Sequence, residues 1–217
     1  VDLRLRIVYD ISVLAAGHFT QFSKTGVARV TEQLIHALLE NQQHEFYFSA
    51  HMSTDVYLKA RKYIEDQAVL DPSRLLHGRS LAEEINRRFF SRYIAKRSEI
   101  YSRHDLPARV ERRILTETGN LLRRLAGASS INYLRNKDVF HTNYYAFPHH
   151  SENLPGLRRF MTIYDLIQII YPEYFKYDNS KDVRDALKSV RPNDVIFAIS
   201  QCTKDDICNL TDIDPEQ

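Results

Sequence analysis

Four polar residues each follow a short apolar run. Asp10 comes after "IVY", His141 after "DVF", Asp165 after "TIY" and Ser200 after "IFAI". If the runs are strands of an open parallel sheet, these residues stand at the carboxyl ends, where such sheets bind ligands. Together they form a candidate polar rim. Each also has a plain structural reading: either aspartate as the cap of a turn, His141 as a satisfied core histidine. A fifth feature is Thr25-Gly26-Val27-Ala28-Arg29-Val30, placed where a loop enters a helix. Free N–H groups and the helix dipole attract anions at such a point. Gly26 lets the backbone come close to a ligand, and Arg29, one turn in, can reach the same ligand or pair with a carboxylate. A plain hinge explains the glycine equally well. The stretch is neither G-x-G-x-x-G nor a Walker A loop, which argues against a dinucleotide-binding dehydrogenase.

The elements that must hold these residues alternate between strand and helix. "LRIVYDI" (Leu5 to Ile11) reads as a first strand, followed by a loop from Ser12 to Gly26. Val27, Val30, Leu34 and Leu38 repeat at helical spacing, so a helix should run to about Glu40. "EFYFSA" is a second strand and Asp55 to Ile64 a short helix. "DVFH", "RFMTIYD" and "DVIFAIS" are further strands. Val183, Ala186, Leu187 and Val190 mark a helix face, and Ser200 reads as the N-cap of "QCTKDDICNL". Apolar strands alternating with helices predict an α/β fold: an open, Rossmann-like parallel sheet covered on both faces.

The stretch from about Ser73 to Asn136 breaks this pattern. Leu81, Ile85, Phe89 and Tyr93 are spaced by four, and Val110, Ile114, Leu121 and Leu125 continue the rhythm. It holds fourteen basic and six acidic residues, a net +8, which leaves the rest at −6. It reads as a basic helical insertion within a single domain. Its basic and aromatic residues, including Phe90 and Tyr101, suit either a solvated face or an anionic membrane surface. The slightly acidic remainder argues against nucleic acid as a partner.

Composition is that of an ordinary globular chain, 43% hydrophobic and 27% charged among 217 residues, with a net charge of +2. No apolar run is long enough to span a membrane, and no signal peptide is visible. Cys202 and Cys208, six apart on different helix faces, read as reduced thiols of a cytoplasmic protein. His141, His149 and His150 have no helical metal spacing, so no metal is expected.

Read in order, "IVYDISVL", "TGVARVTEQLIHALLE", "VFHTNYYAFP", "FMTIYDLIQIIYPEYF" and "NDVIFAISQCTKDDI" resemble the N-terminal domain of a GT-B glycosyltransferase of the retaining "group 1" (family 4) class. The resemblance covers all but the basic insertion. It implies an acceptor-binding domain that faces a donor-binding domain across a cleft. The donor would be a nucleotide-sugar such as a UDP- or GDP-sugar. The acceptor would be a saccharide or a lipid-linked saccharide, in polysaccharide or glycan synthesis. It also implies a cytoplasmic enzyme, peripheral on the inner membrane face if the basic segment binds lipid. The chain ends at "TDIDPEQ", about where the family's interdomain link begins, so the donor-binding half is expected outside it, and the domain alone should be inactive. By the same resemblance, Thr25, Gly26 and Arg29 belong to the loop near the donor diphosphate and the acceptor. Asp165 matches the aspartate of the family's His-Asp pair, and Tyr164 stands where many members have histidine. A tyrosine hydroxyl can give and take one hydrogen bond, but is no base near neutral pH unless its pKa falls. Asp10, His141 and Ser200 would then line the acceptor cleft. A non-catalytic sugar- or nucleotide-binding module of the same fold is the alternative.

Overall fold

The computed structural model describes residues 4–19, 26–52, 54–67, 71–78, 96, 105–111, 113–114, 117, 130–175 and 180–216. Six strands form one sheet: Arg6–Asp10 (β1), Glu45–Ser49 (β2), Leu75–Leu76 (β3), Val139–Thr142 (β4), Arg158–Ile163 (β5) and Val195–Ala198 (β6). All neighbours are parallel, in the order β3-β2-β1-β4-β5-β6. The expected α/β, Rossmann-like parallel sheet is therefore present. Its order reverses between β1 and β4, which fixes the crevice at their carboxyl ends.

Side chains alternate across each strand, so the sheet has two cores. Helix Gly26–Glu40 (here α2) and helix Thr54–Gln67 (α3) cover one face. Ala28 and Ile35 of α2, and Ala60, Tyr63 and Ile64 of α3, pack there with Tyr9, Phe46 and Phe48. The opposite face carries Val8, Phe140 and Met161. It is closed by a short helix Ile167–Ile170 (α4), helix Ser180–Ser189 (α5) and helix Gln201–Leu210 (α6), which add Ile169, Ala186 and Ile207. Right-handed crossovers place helices this way when chain order runs outward in both directions from the switch point.

Two expectations need correction. Ser12–Phe19 is a helix (α1), not a loop. Ile11, Val13, Leu14 and Ala15 are all buried, so the start of the helix lacks the polar face that makes a helix visible in sequence. The two-residue β3 lies inside the stretch assigned to the basic insertion, as does a 3-10 turn at Ile131–Leu134 whose Leu134 is buried in the core. The insertion is thus shorter at both ends than the charge pattern suggested. Residues 106–111 within it are helical. Leu81, Ile85, Phe89, Phe90, Tyr93, Tyr101, Leu121 and Leu125 lie outside the described residues. No helix among the described residues is long and apolar enough to cross a membrane.

Among the described residues, the buried charged side chains Arg159 and Asp194 are paired with each other. Arg159 Nε and Nη2 donate to both carboxylate oxygens of Asp194, at 2.7 and 2.5 Å, and Arg191 N donates to Asp194 Oδ2 at 2.7 Å. This ties β5 to the turn that enters β6. At the same amino-terminal end of the strands, the partly exposed Arg6 donates through its backbone and side chain to Asp138, so β1 is held against β4 where β4 begins.

Candidate binding site at the strand carboxyl ends

Alternation decides which rim residues can meet. From the strand register, Tyr9, His141, Phe160 and Thr162 share the α2 face, and Asn143 and Tyr164 continue that parity beyond β4 and β5. Asp10 and Thr142 point to the other face. No hydrogen bond or ion pair joins any two of Asp10, His141, Asp165 and Ser200; each has partners of its own.

Asp10 is wholly buried. Its Oδ1 accepts from Ser12 Oγ at 2.8 Å and meets His51 Nδ1 at 3.1 Å. His51 Nε2 lies 2.8 Å from the carbonyl of Ala146. One ring nitrogen faces the Asp10 carboxyl and the other a backbone carbonyl, an arrangement that suits a ring protonated at both nitrogens. Burial pulls its pKa down, but the Asp10 charge and the two hydrogen bonds outweigh that and hold it above the ordinary value. The residues after β1, β2 and β4 are joined in this way. Ser49 and Tyr133 flank the carboxylate, and burial raises the Tyr133 phenol. Asp10 is therefore sealed within the fold. His51 went unnoticed in the sequence because it lies two residues beyond β2, and only the β1–β2 pairing brings it to Asp10.

His141 is half-buried. Its Nε2 lies 2.9 Å from Thr162 Oγ1, and its ring is edge-on to Tyr9 and packed with Phe160 and Phe197. Burial lowers its pKa to about 4, so it is neutral. Ser200 caps α6, its Oγ accepting from Thr203 N at 3.1 Å. Asp165 is exposed, and its Oδ1 accepts from Ile167 N at 3.1 Å, holding the turn into α4.

On the α2 face a different cluster forms. Asn143, fully buried, donates through Nδ2 to Tyr9 Oη at 3.0 Å and to Thr31 Oγ1 at 2.5 Å. Thr31 Oγ1 donates to Val27 O at 2.8 Å, in the first turn of α2. Tyr164 Oη lies beside Thr31 without completing a hydrogen bond. Burial raises the phenols of Tyr9 and Tyr164, so both remain protonated near neutral pH. Tyr164 is thus a hydroxyl donor here and not a base. Two buried atoms of this cluster, Asn143 Oδ1 and Tyr164 Oη, have no hydrogen-bond partner. The sequence reading singled out the histidines of "FHTNYYAFPHH" and passed over Asn143. Parity with Tyr9 and Tyr164 was the available signal, and it needs the register.

Gly26 opens α2 beside this cluster. It is exposed, its φ lies outside the left-handed region, and an added Cβ would meet nothing within 4 Å. The fold itself makes no demand for glycine there. Arg29 is exposed on the solvent side of the helix. Thr25 lies outside the described residues. The crevice thus combines a helix N-terminus, three neutral hydroxyl groups and one amide, and it suits a polar, uncharged group lying next to an anionic one. Comparison with known protein families, with characterised proteins and with solved structures finds no match to this chain.

Proposed function

We propose that this chain is the acceptor-side domain of a nucleotide-sugar-dependent glycosyltransferase. One observation carries the reading. At the β1/β4 switch point the N-terminus of α2 adjoins a buried neutral cluster with two unpaired polar atoms. A nucleotide-sugar and its acceptor need that pairing of features. Phosphate oxygens take backbone N–H groups and the positive end of a helix dipole. Sugar hydroxyls take neutral groups that give and accept hydrogen bonds.

In transfer, the bond from the anomeric carbon to the diphosphate breaks and a bond to the acceptor oxygen forms. The acceptor's proton leaves with the diphosphate. Negative charge grows on the leaving group, and preorganised N–H donors with Arg29 at the rim offset it. Bare glycine at position 26 keeps that approach open. Tyr164, held protonated by burial, donates to a sugar oxygen. Asp165 stands at the exposed rim, and Asp10 acts only by fixing the loops around it. The basic segment supplies attraction to an anionic membrane surface that presents a lipid-linked acceptor.

A binding module of the same fold is favoured by one fact: nothing in the neutral cluster is ionised. Turnover separates the two. The product of the complete gene, given radiolabelled UDP- and GDP-sugars with a saccharide or lipid-linked acceptor, should release nucleoside diphosphate, and Gly26→Trp should abolish release. Release from none of these donors, or full activity of Gly26→Trp, overturns the enzymatic reading.

A further inference from the structure

We propose that a cationic cavity at the amino ends of β1, β2 and β3 binds a small organic phosphate, a phosphate monoester carried on an apolar body. The cavity lies at the opposite end of the strands from the switch-point crevice, so it is a second site and does not rest on the function proposed above.

Three adjacent parallel strands begin at this end, and a basic residue stands ahead of each: Arg4 before β1, His44 before β2 and Arg74 before β3. All three line one cavity of about 530 Å³. That size lies within the usual range of small-molecule sites, about 300–1,000 Å³. The turn at 41–43 adds three amide side chains, and no carboxylate is among the described residues that line the cavity. Leu38 and Leu39, partly buried at the end of α2, supply an apolar wall.

Neither arginine is committed elsewhere. Arg74 is exposed, and its guanidinium makes no hydrogen bond or ion pair with a described residue. Arg4 Nε stands 3.7 Å from Glu45 Oε1, too far for a hydrogen bond, and its side chain is 64% exposed. A pair of that kind holds an arginine only weakly. The half-buried His44 packs edge-on against Phe46, and its Nδ1 has no hydrogen-bond partner. Two guanidinium groups carry two permanent positive charges. A phosphate monoester carries about −1.5 to −2 near neutral pH and offers each planar fork a pair of oxygens. A carboxylate leaves one guanidinium unmatched. The leucine wall takes the body of the ligand, which inorganic phosphate lacks. β1 and β2 are each five residues long, so roughly 16 Å of strand separates this cavity from the crevice.

Amide NMR titrations of the protein with phenyl phosphate, inorganic phosphate and phenol test this. Phenyl phosphate should shift the amides of His44 and Arg74. Inorganic phosphate should act on the same amides about five-fold more weakly, and phenol should leave them unmoved. Arg74→Gln, at an exposed position, should weaken phenyl phosphate about five-fold or more without altering the melting temperature, and Arg4→Gln should do the same. Phenyl phosphate shifts confined to residues around Gly26, or equal affinity of wild type and both arginine variants, overturn the site. Inorganic phosphate binding as tightly as phenyl phosphate overturns the organic class of ligand.

Discussion

Two polar clusters lie on opposite sides of the same strand ends, and they are built on opposite principles. On one side, Asp10, Ser12 and His51 form a cluster in which Asp10 Oδ1 is paired with Ser12 and His51 while Asp10 Oδ2 has no hydrogen-bond partner. On the other, Tyr9, Thr31, Asn143 and Tyr164 form a neutral cluster that leaves a donor and an acceptor unpaired. The first holds charge, which must be neutralised inside or the fold is lost. The second holds only dipoles, which can wait unpaired at a modest cost. Where a fold is to leave recognition groups free for a ligand, neutral groups are the cheaper ones to leave.

The largest effect that could break this contrast is loss of the charged partner. His51→Ala removes the ring that faces the buried Asp10 carboxyl and leaves it only Ser12, and should cost about 3–5 kcal/mol in chemical denaturation. A loss below 1 kcal/mol would show that the pair is not the framework.

Next is pH. His141 has a folded pKa of about 4 against about 6.5 unfolded, so the unfolded chain binds more protons as pH falls. Its contribution is complete above about pH 6.5 and disappears towards pH 4, a span worth about 3 kcal/mol. His51 works the other way: its folded pKa is raised, so its contribution is complete below about 6.5 and fades as pH climbs through the folded value. His51 faces Asp10 and the Ala146 carbonyl, and Asp10 in turn lies near Tyr9, Tyr133, Tyr145 and His141. Denaturation midpoints from pH 4 to 9 should peak near neutrality. His141→Gln should flatten the acid limb and His51→Gln the alkaline one.

Smaller effects sharpen the neutral side. Asn143→Ala removes two hydrogen bonds along with one unpaired oxygen, so it should cost only about 1 kcal/mol. Gly26→Ala, with open space for its Cβ, should raise stability by about 0.5 kcal/mol yet impair any ligand that needs the backbone bare. Tyr164→Phe should change stability by less than about 0.5 kcal/mol, since its hydroxyl bonds to nothing in the fold.

Much of the scaffold was legible along the chain. Each longer strand announced itself as an apolar run and α6 by Ser200; α2 is a helix as its spacing predicts, but it buries Ala28, Thr31 and Ile35 while Val30 and Leu34 are exposed. What failed did so for local reasons. α1 has no polar stripe at its buried start, and β3 is two residues long. The partners of the rim residues are not legible along the chain. Asp10, His141, Asp165 and Ser200 stand near strand ends, but one residue of offset sends a side chain to the other face. Asp10 went to His51, His141 to Thr162, and Asp165 and Ser200 to helix and turn capping. Each plain structural reading is satisfied by an observed hydrogen bond.

The sequence by itself determined the class of fold, because burial of a strand or of a helix stripe leaves a period in the residues that form it. It determined that a glycine opens α2, and that tyrosine stands at 164. Tertiary structure alone decided which polar residues meet. Tyr9, Thr31, Asn143 and Tyr164 span more than 150 positions, and nothing local to any of them signals the others. Their meeting depends on register: parallel pairing fixes which residues share a level and a face, and hydrogen-bond capacity then fixes which atoms are left over. Among the described residues, the atoms left over include Asn143 Oδ1 and Tyr164 Oη on one face and Asp10 Oδ2 on the other.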